Sequence, residues 1–388
     1  MINKSVAFLM IFTICLSLYP NIIRANSSDD LQLISQSAIL IDEKSGQVIY
    51  EKNSQEPLAP ASITKIATAI YAIEKGNLND IVTVSEEARY VDGTRVYLEP
   101  GEQVPLKKLV QGLLINSGND AGVAIAEHLS GTLEQFVIDF NDYLKQTIGV
   151  KKTHFSNPHG LFHPEHVTTA ADMAKITQYA MKNDVFREIF NTKELPWKGE
   201  SWDTTIINHH LMVRDSSYEG ITGGKNGFVN ESGFTLVTTA EQENISLIAV
   251  VLNTMYDHQT YEDTTKLFDY GFQQFETEMI ATKQFEDENN KQYTVNEDVM
   301  FTKKIGEVTN QKVLPSGKLV ITGEDGRTIM TKPLTLIETE EASKKLKSEQ
   351  VTAENQKETE DHLRFIVPIS LVIAFLLAGV FFTQTRRL

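Results

Sequence analysis

Two strand-like pairs lie at opposite ends of a long helical stretch, and this arrangement restricts the fold more than any other feature of the chain. Ser37 to Asp42 and Gln47 to Glu51 flank a Lys44-Ser45-Gly46 turn, which predicts a hairpin. Phe234 to Ala240 and Ile245 to Leu252 flank a Glu-Gln-Glu-Asn turn and predict a second one. The residues between read as helices. Ala61 to Tyr71 has no breaker, Leu106, Leu109, Val110, Leu113 and Leu114 share one helical face, and Phe136, Val137, Phe140 and Leu144 share another within Leu133 to Ile148. Thr169-Ala170-Ala171-Asp172 reads as a capping box opening a helix that runs to about Lys182. A last helix carries Leu267, Phe268, Phe272 and Phe275. Strands from both ends can share one sheet when the helical middle is looped out. The expected fold is therefore α+β: an antiparallel sheet with flanking helices and an inserted helical lobe, over residues 26–278. Residues 279–337 change texture. Short apolar runs such as Lys318 to Thr322 alternate with turn signals such as Pro315-Ser316-Gly317 and Asp325-Gly326, which predicts a small β-domain without chemistry of its own.

The two ends place the body. Lys4 followed by the apolar run Val6 to Leu18 and a small Ala25 reads as a signal peptide over residues 1–25. Cys15 is the single cysteine, so no intramolecular disulfide is available, and Ile14 before it argues against a lipid-attachment site. Residues 338–363 are polar and charged and read as a solvated stalk. Residues 364–383 contain the uncharged run Phe365 to Phe382, whose eighteen residues span roughly 27 Å as a helix, enough for a transmembrane segment. Arg386 and Arg387, in the tail 384–388, put that tail in the cytoplasm and the body outside. Lys plus Arg is 36 against 52 Asp plus Glu, a net charge of −16, which argues against a nucleic-acid partner.

Three short motifs carry chemistry. In Ser62-Ile63-Thr64-Lys65, helical spacing brings the Lys65 amine to the Ser62 hydroxyl, and a buried lysine with a lowered pKa can serve as its base. The helix N-terminus adds free N–H groups for a developing oxyanion. Taken alone, the motif reads more readily as a capped helix with an exposed lysine. Ser117-Gly118-Asn119 follows the Leu106 to Leu114 helix, where a loop Ser and Asn can relay a proton and hold an amide, or simply make a turn. Lys225-Asn226-Gly227 follows Gly223-Gly224 and precedes Phe228-Val229. A lysine on an edge strand can face a carboxylate, and a glycine lets a peptide lie alongside; the plain alternative is a basic hairpin turn.

Together, in order and spacing, the three resemble the serine–lysine motif set of penicillin-binding proteins and class A β-lactamases. Their surroundings narrow the resemblance. Pro60 to Lys65, Leu113 to Ala121, Phe155-Ser156-Asn157-Pro158-His159-Gly160-Leu161, and His166 through Met173 are similar to the D-alanyl-D-alanine carboxypeptidases, the low-molecular-weight penicillin-binding proteins of bacteria, over roughly Ala38 to Phe275. The resemblance implies a penicillin-binding protein/β-lactamase-like catalytic domain acting on peptidoglycan stem peptides, acylated by β-lactam antibiotics, and attached to the outer face of a bacterial cytoplasmic membrane. It implies that Ser62 attacks, Lys65 takes its proton, Ser117 passes a proton to the leaving amine, and Asn119 orients the acyl chain. Lys225 attracts the terminal carboxylate beside Asn226 and Gly227, the N–H groups of Ser62 and Phe228 form the oxyanion hole, and no metal or organic cofactor takes part.

Two departures stand out. Asn226 occupies a position that is usually Thr, and Thr260-Tyr261 stand where many relatives carry an Arg just before the closing helix. They motivate an alternative, a catalytically weak or silent wall-binding protein of the same fold. A class A β-lactamase is disfavoured because no Glu-x-x-Leu-Asn lies between Ser117 and Lys225. A zinc peptidase using His154, His159, His163, His166, His209 and His210 is disfavoured because Pro164 lies directly beside His159 and His163, the two that sit four apart, and because His-Glu-x-x-His is absent.

Overall fold

The computed structural model of the chain describes residues 31–281 and 283–337. The expected signal peptide, stalk, transmembrane segment and tail lie outside the described residues, among which no helix is long and apolar enough to cross a membrane. The chain forms two compact units that divide after Glu276.

The first unit is built on strands β1 (Ser37–Asp42), β2 (Val48–Lys52), β3 (Ile221–Val229), β4 (Gly233–Gln242) and β5 (Ile245–Thr254), in the order β2-β1-β5-β4-β3. All neighbours are antiparallel, and β1 joins the two distant hairpins by pairing Ile39 with Val250. Period-two alternation gives β1 and β5 two separate cores. Ile39, Ile41, Ile248, Val250 and Leu252 face the helical lobe, whereas Ala38, Leu40, Leu247, Ala249 and Val251 face the closing helix. This burial on both faces explains why these strands read as continuous apolar runs.

The lobe holds α1 (Thr64–Lys75), α2 (Leu106–Ile115), α3 (Asn119–Ser130), α4 (Leu133–Tyr143) and α5 (Ala170–Ala180), and α6 (Asp257–Gln274) closes the sheet. The small side chains Ala67, Ala69 and Ala72 let α1 run through the middle, where Thr64 to Ala72 are all buried. The five α2 residues expected on one face are buried. On α4, Phe136 and Phe140 are buried and Val137 is half-buried; the helix ends at Tyr143 and continues as one π-helical turn, Leu144–Ile148. The capping box at α5 is only half made. Thr169 Oγ1 accepts from Asp172 N–H at 3.0 Å, but the Asp172 carboxylate turns away to accept from Lys152 N–H at 2.7 Å and the Thr153 hydroxyl at 2.9 Å. On α6, buried Asp263 accepts from the N–H groups of Ile34 and Ser35 at 3.1 and 2.7 Å, tying down the incoming chain. Phe275 begins the following strand rather than lying on α6.

The second unit consists of short antiparallel strands around Val299, Phe301, Leu319 and Ile321. Its expected turns carry left-handed glycines, Gly317 at φ +73° and Gly326 at φ +77°.

Candidate active site

The chain enters α1 through a tight turn, Ala61–Ile63, and Ser62 sits in its middle. Ala61 adopts φ +51°, a left-handed conformation that a Cβ disfavours. Its neighbours hold it there. Thr235 of β4 donates to Pro60 O at 2.8 Å, and Thr64 donates to Ala61 O at 2.8 Å. Two glycines close on the turn, one from β3 and one from the loop before α5. A Cβ on Gly227 would lie 2.7 Å from Ser62 N, and one on Gly160 would lie 2.0 Å from Ala61 O. The nucleophile-bearing turn is thus clamped between the edge strand β3 and the loop that precedes α5.

One helical turn on, Lys65 is completely buried. Its Nζ lies 2.9 Å from Ser62 Oγ and donates to His159 O at 2.6 Å. Burial, reinforced by the Lys225 charge and opposed by Asp120, holds its pKa well below the usual lysine range. An amine whose burial favours loss of its proton, held by His159 O within hydrogen-bond reach of the serine hydroxyl, is the arrangement a general base requires.

Ser117 is buried at φ +60°, between the end of α2 and the start of α3. Asn119 is not a loop residue but the first residue of α3, and its Nδ2 donates to Asp92 O at 2.6 Å. It shares this task with Asp120, whose carboxylate accepts from Val96 N–H at 3.0 Å and Leu98 N–H at 3.1 Å. The pair therefore straps the residue 92–98 segment over the second motif. A Cβ on Gly93 would meet Asn119 Nδ2 at 2.6 Å and Leu161 at 3.8 Å, so this segment, Asn119 and the loop after Gly160 converge.

Lys225 lies on β3, which forms one edge of the sheet, and is almost fully buried. Its Nζ donates to Asn226 O at 2.8 Å and to Asn226 Oδ1 at 3.3 Å. Burial lowers its pKa to about 7. Gly224, just before it, leaves room for the buried His210 ring, which would be 2.5 Å from a Cβ there. His210 Nδ1 accepts from Val213 N–H, so Nε2 carries the proton and donates to Thr238 Oγ1 at 2.9 Å. Asn226 is half-buried and Phe228 is exposed, on the opposite face of β3 from Lys225 and Gly227.

Several supporting residues have no role in the sequence reading. Asn157 Oδ1 accepts from Gly160 N–H at 2.7 Å and shapes the loop whose His159 carbonyl holds Lys65. His166 Nδ1 accepts from Ser156 N–H at 2.9 Å. Its Nε2 therefore donates to Thr64 Oγ1, at 2.9 Å, and Thr64 in turn donates to Ala61 O. Burial lowers the His166 pKa to about 3, leaving a neutral ring that stacks on Phe155 with centroids 4.9 Å apart. Asp120, Asn157 and His166 lie in stretches that carry the resemblance, whereas Thr235 has no local signal at all. Of the histidines considered as zinc ligands, His159, His163, His166 and His210 each accept from a backbone N–H through Nδ1. Among the described residues no three His, Cys, Asp or Glu side chains are placed to hold a metal. Thr260 and Tyr261 lie within the first turns of α6 rather than before it. Thr260 is buried and donates to Asp257 O at 2.7 Å, while Tyr261 OH accepts from Leu211 N–H at 3.1 Å, so neither supplies the cation an Arg would.

Residues 24–255 match the D-alanyl-D-alanine carboxypeptidase family. The chain is 37% identical over 250 residues to D-alanyl-D-alanine carboxypeptidase DacF of Bacillus subtilis, an alignment covering 63% of each protein, so it spans less than two thirds of that relative's length. It is 31% identical over 344 residues to D-alanyl-D-alanine carboxypeptidase DacA of Escherichia coli, covering 79% of this chain and 84% of the other. Its fold is that of penicillin binding protein 5 from Haemophilus influenzae, with a TM-score of 0.69 at 27% identity over 79% of this chain and 97% of that one. With more than half of its length inside the family match and the serine–lysine geometry in place, the chain belongs to the D-alanyl-D-alanine carboxypeptidase family.

Proposed function

We propose that the chain is a serine-type D-alanyl-D-alanine carboxypeptidase that trims the last D-alanine from peptidoglycan stem peptides. The observation that carries this reading is the buried Lys65 amine, 2.9 Å from Ser62 Oγ and held by His159 O. Ser62 Oγ attacks the carbonyl carbon of the penultimate D-alanine while its proton passes to Lys65 Nζ. The backbone N–H groups of Ser62 and Phe228 take the charge that develops on the carbonyl oxygen. The tetrahedral intermediate collapses with cleavage of the C–N bond, and the leaving amine takes a proton passed through Ser117. Water then attacks the acyl ester, Lys65 again takes the proton, and Ser62 is regenerated. Lys225 and Asn226 receive the terminal carboxylate, and Asn119 orients the acyl chain. β-Lactam antibiotics acylate Ser62 by the same first step.

The location follows from the ends of the sequence. A signal peptide over residues 1–25 exports the body, and a helix over residues 364–383 holds it as a single-pass protein on the outer face of a cytoplasmic membrane. The deciding experiment incubates the full chain, in detergent, with a stem pentapeptide ending in D-Ala-D-Ala. Loss of one alanine, and a penicillin adduct on the Ser62 peptide by mass spectrometry, are the expected results. Neither alanine release nor an adduct would overturn the reading.

A further inference from the structure

The N–H of Ser62 and the C=O of Ala61 belong to one peptide unit. That unit is planar and trans, so the two groups point in opposite directions, and whatever holds the carbonyl aims the N–H. Ala61 needs holding, because its φ of +51° is one that a Cβ disfavours. The backbone N–H of Thr64 is divided between Ala61 O and Ser62 O. The Thr64 hydroxyl is the undivided donor, 2.8 Å from Ala61 O. Gly160 sits against the same carbonyl, where a Cβ would lie 2.0 Å away.

A threonine hydroxyl rotates freely and has one proton to give. Here its direction is set by a ring 102 positions further along the chain. Ser156 N–H can only donate, and His166 Nδ1 accepts from it at 2.9 Å. The ring proton is therefore on Nε2, which donates to Thr64 Oγ1 at 2.9 Å. With its acceptor side taken, the hydroxyl gives its proton to Ala61 O, which can only accept. Every bond in this series runs the same way, and bonds so ordered strengthen one another. Phe155, on which the ring stacks, is itself fixed by Asn141, which accepts from its N–H at 2.9 Å and donates to its C=O at 2.8 Å. Both Thr64 and His166 are buried, away from competing water.

We propose that His166 and Thr64 are positioning residues for acyl transfer: the imidazole locks the Thr64 hydroxyl onto Ala61 O, and the locked carbonyl aims and polarises the Ser62 N–H toward the developing oxyanion. The proposal rests on the carboxypeptidase reading above. Penicillin acylation of Ser62 also tests it, because charge then develops on a carbonyl oxygen in the same place.

The test measures the rate of penicillin acylation, and kcat and KM for D-alanine release from a stem pentapeptide. It uses the full chain in detergent, with active sites counted by exhaustive penicillin labelling. Thr64→Val keeps the volume and removes the hydroxyl. His166→Phe keeps a stacking ring and removes both nitrogens. Each should lower kcat and the acylation rate roughly tenfold to a hundredfold, with KM within about threefold of wild type. The midpoint of the acid limb of the pH–rate profile should not move, since Lys65 keeps its bond to His159 O. Thr64→Ser, which returns the hydroxyl, should bring the rate to within about threefold of wild type. The double variant Thr64→Val with His166→Phe should be no slower than the slower single one, because the series acts as a unit. A near-wild-type rate in Thr64→Val overturns the proposal, and does so even if His166→Phe fails to fold. Additive losses, or a displaced acid limb that puts the defect at Lys65, overturn it as well. A wild type that penicillin acylates but that releases no D-alanine overturns the carboxypeptidase reading alone, and the acylation rates still decide the relay. A wild type that penicillin does not acylate overturns both.

Discussion

Gly227 and Ser62 meet so closely that a Cβ on Gly227 would lie 2.7 Å from the Ser62 amide nitrogen, and equally 2.7 Å from Thr235 Oγ1. Neither neighbour yields easily. One is backbone, and the other is fixed by its bond to Pro60 O. Gly227→Ala should push β3 away from the Ser62 turn, widening the gap between the Ser62 and Phe228 N–H groups proposed to bind the oxyanion. A displacement of about 1 Å is enough to cost around a hundredfold in rate. Penicillin acylation is expected to slow by at least that factor, with a loss of about 1–3 kcal/mol in stability from overpacking. Acylation at the wild-type rate would show that this contact does not set the geometry of the site.

Ser62→Ala should abolish covalent penicillin labelling, because Ser62 is the hydroxyl held by the buried Lys65. Persistent stoichiometric labelling would reject it as the nucleophile. Burial lowers the Lys65 pKa and so favours the free amine that acts as base, and the wild-type acylation rate should fall as pH drops through that pKa. Lys65→Arg places a permanent cation there and should remain inactive at every pH. Recovery of this variant at high pH would mean that Lys65 is not the base.

Lys225 should cost stability in exchange for its role in the site. Its folded pKa is about 7, against 10.5 ordinarily, because burial disfavours the charged form. Between those two values the unfolded chain holds a proton that the folded chain lacks, so folding stability rises with pH across this window. Below pH 7 the full penalty applies, up to about 5 kcal/mol. Lys225→Met removes it. The variant should therefore melt higher than the wild type, with a larger difference in Tm at pH 6 than at pH 9, while losing turnover. A difference that grows toward pH 9 would contradict the assigned direction.

What was legible in the sequence was whatever repeats locally. The two hairpins and the apolar face of α2 follow from periodicity, and Ser62 and Lys65 are near enough in the chain for one helical turn to join them. The rest depends on partners far away in sequence. Thr235 reaches Pro60 across 175 positions, and His166 reaches Thr64 across 102, so no local pattern announces either contact. Asp172 looked like half of a capping box, but the N–H groups of residues 151 and 152 are nearby and draw its carboxylate away. Asn119 looked like a turn residue, yet it begins α3 because Asp120 behind it anchors the Val96 and Leu98 backbone.

The Asn226→Thr exchange tests the departure that matters most for substrate. Asn226 Oδ1 lies 3.3 Å from Lys225 Nζ, and the same amine donates to Asn226 O at 2.8 Å. The amide thus occupies a donor that a terminal carboxylate would otherwise receive. A Thr hydroxyl is shorter and rotates freely to donate, whereas the amide is bulkier and planar. With Thr260 buried in α6 and bonded to Asp257 O, no cation at that position compensates. One preorganised donor in such a site is worth about 3 kcal/mol, around a hundredfold in rate. Asn226→Thr should therefore raise D-alanine release at least severalfold and speed penicillin acylation. Folded stability should change little, because residue 226 is half-buried at a strand edge. Turnover by stopped D-alanine assay and melting temperature on the same samples decide the matter. A fall in turnover with an unchanged Tm would identify Asn226 as a recognition group adapted to this protein's own substrate, and would end the idea that its third motif is impaired.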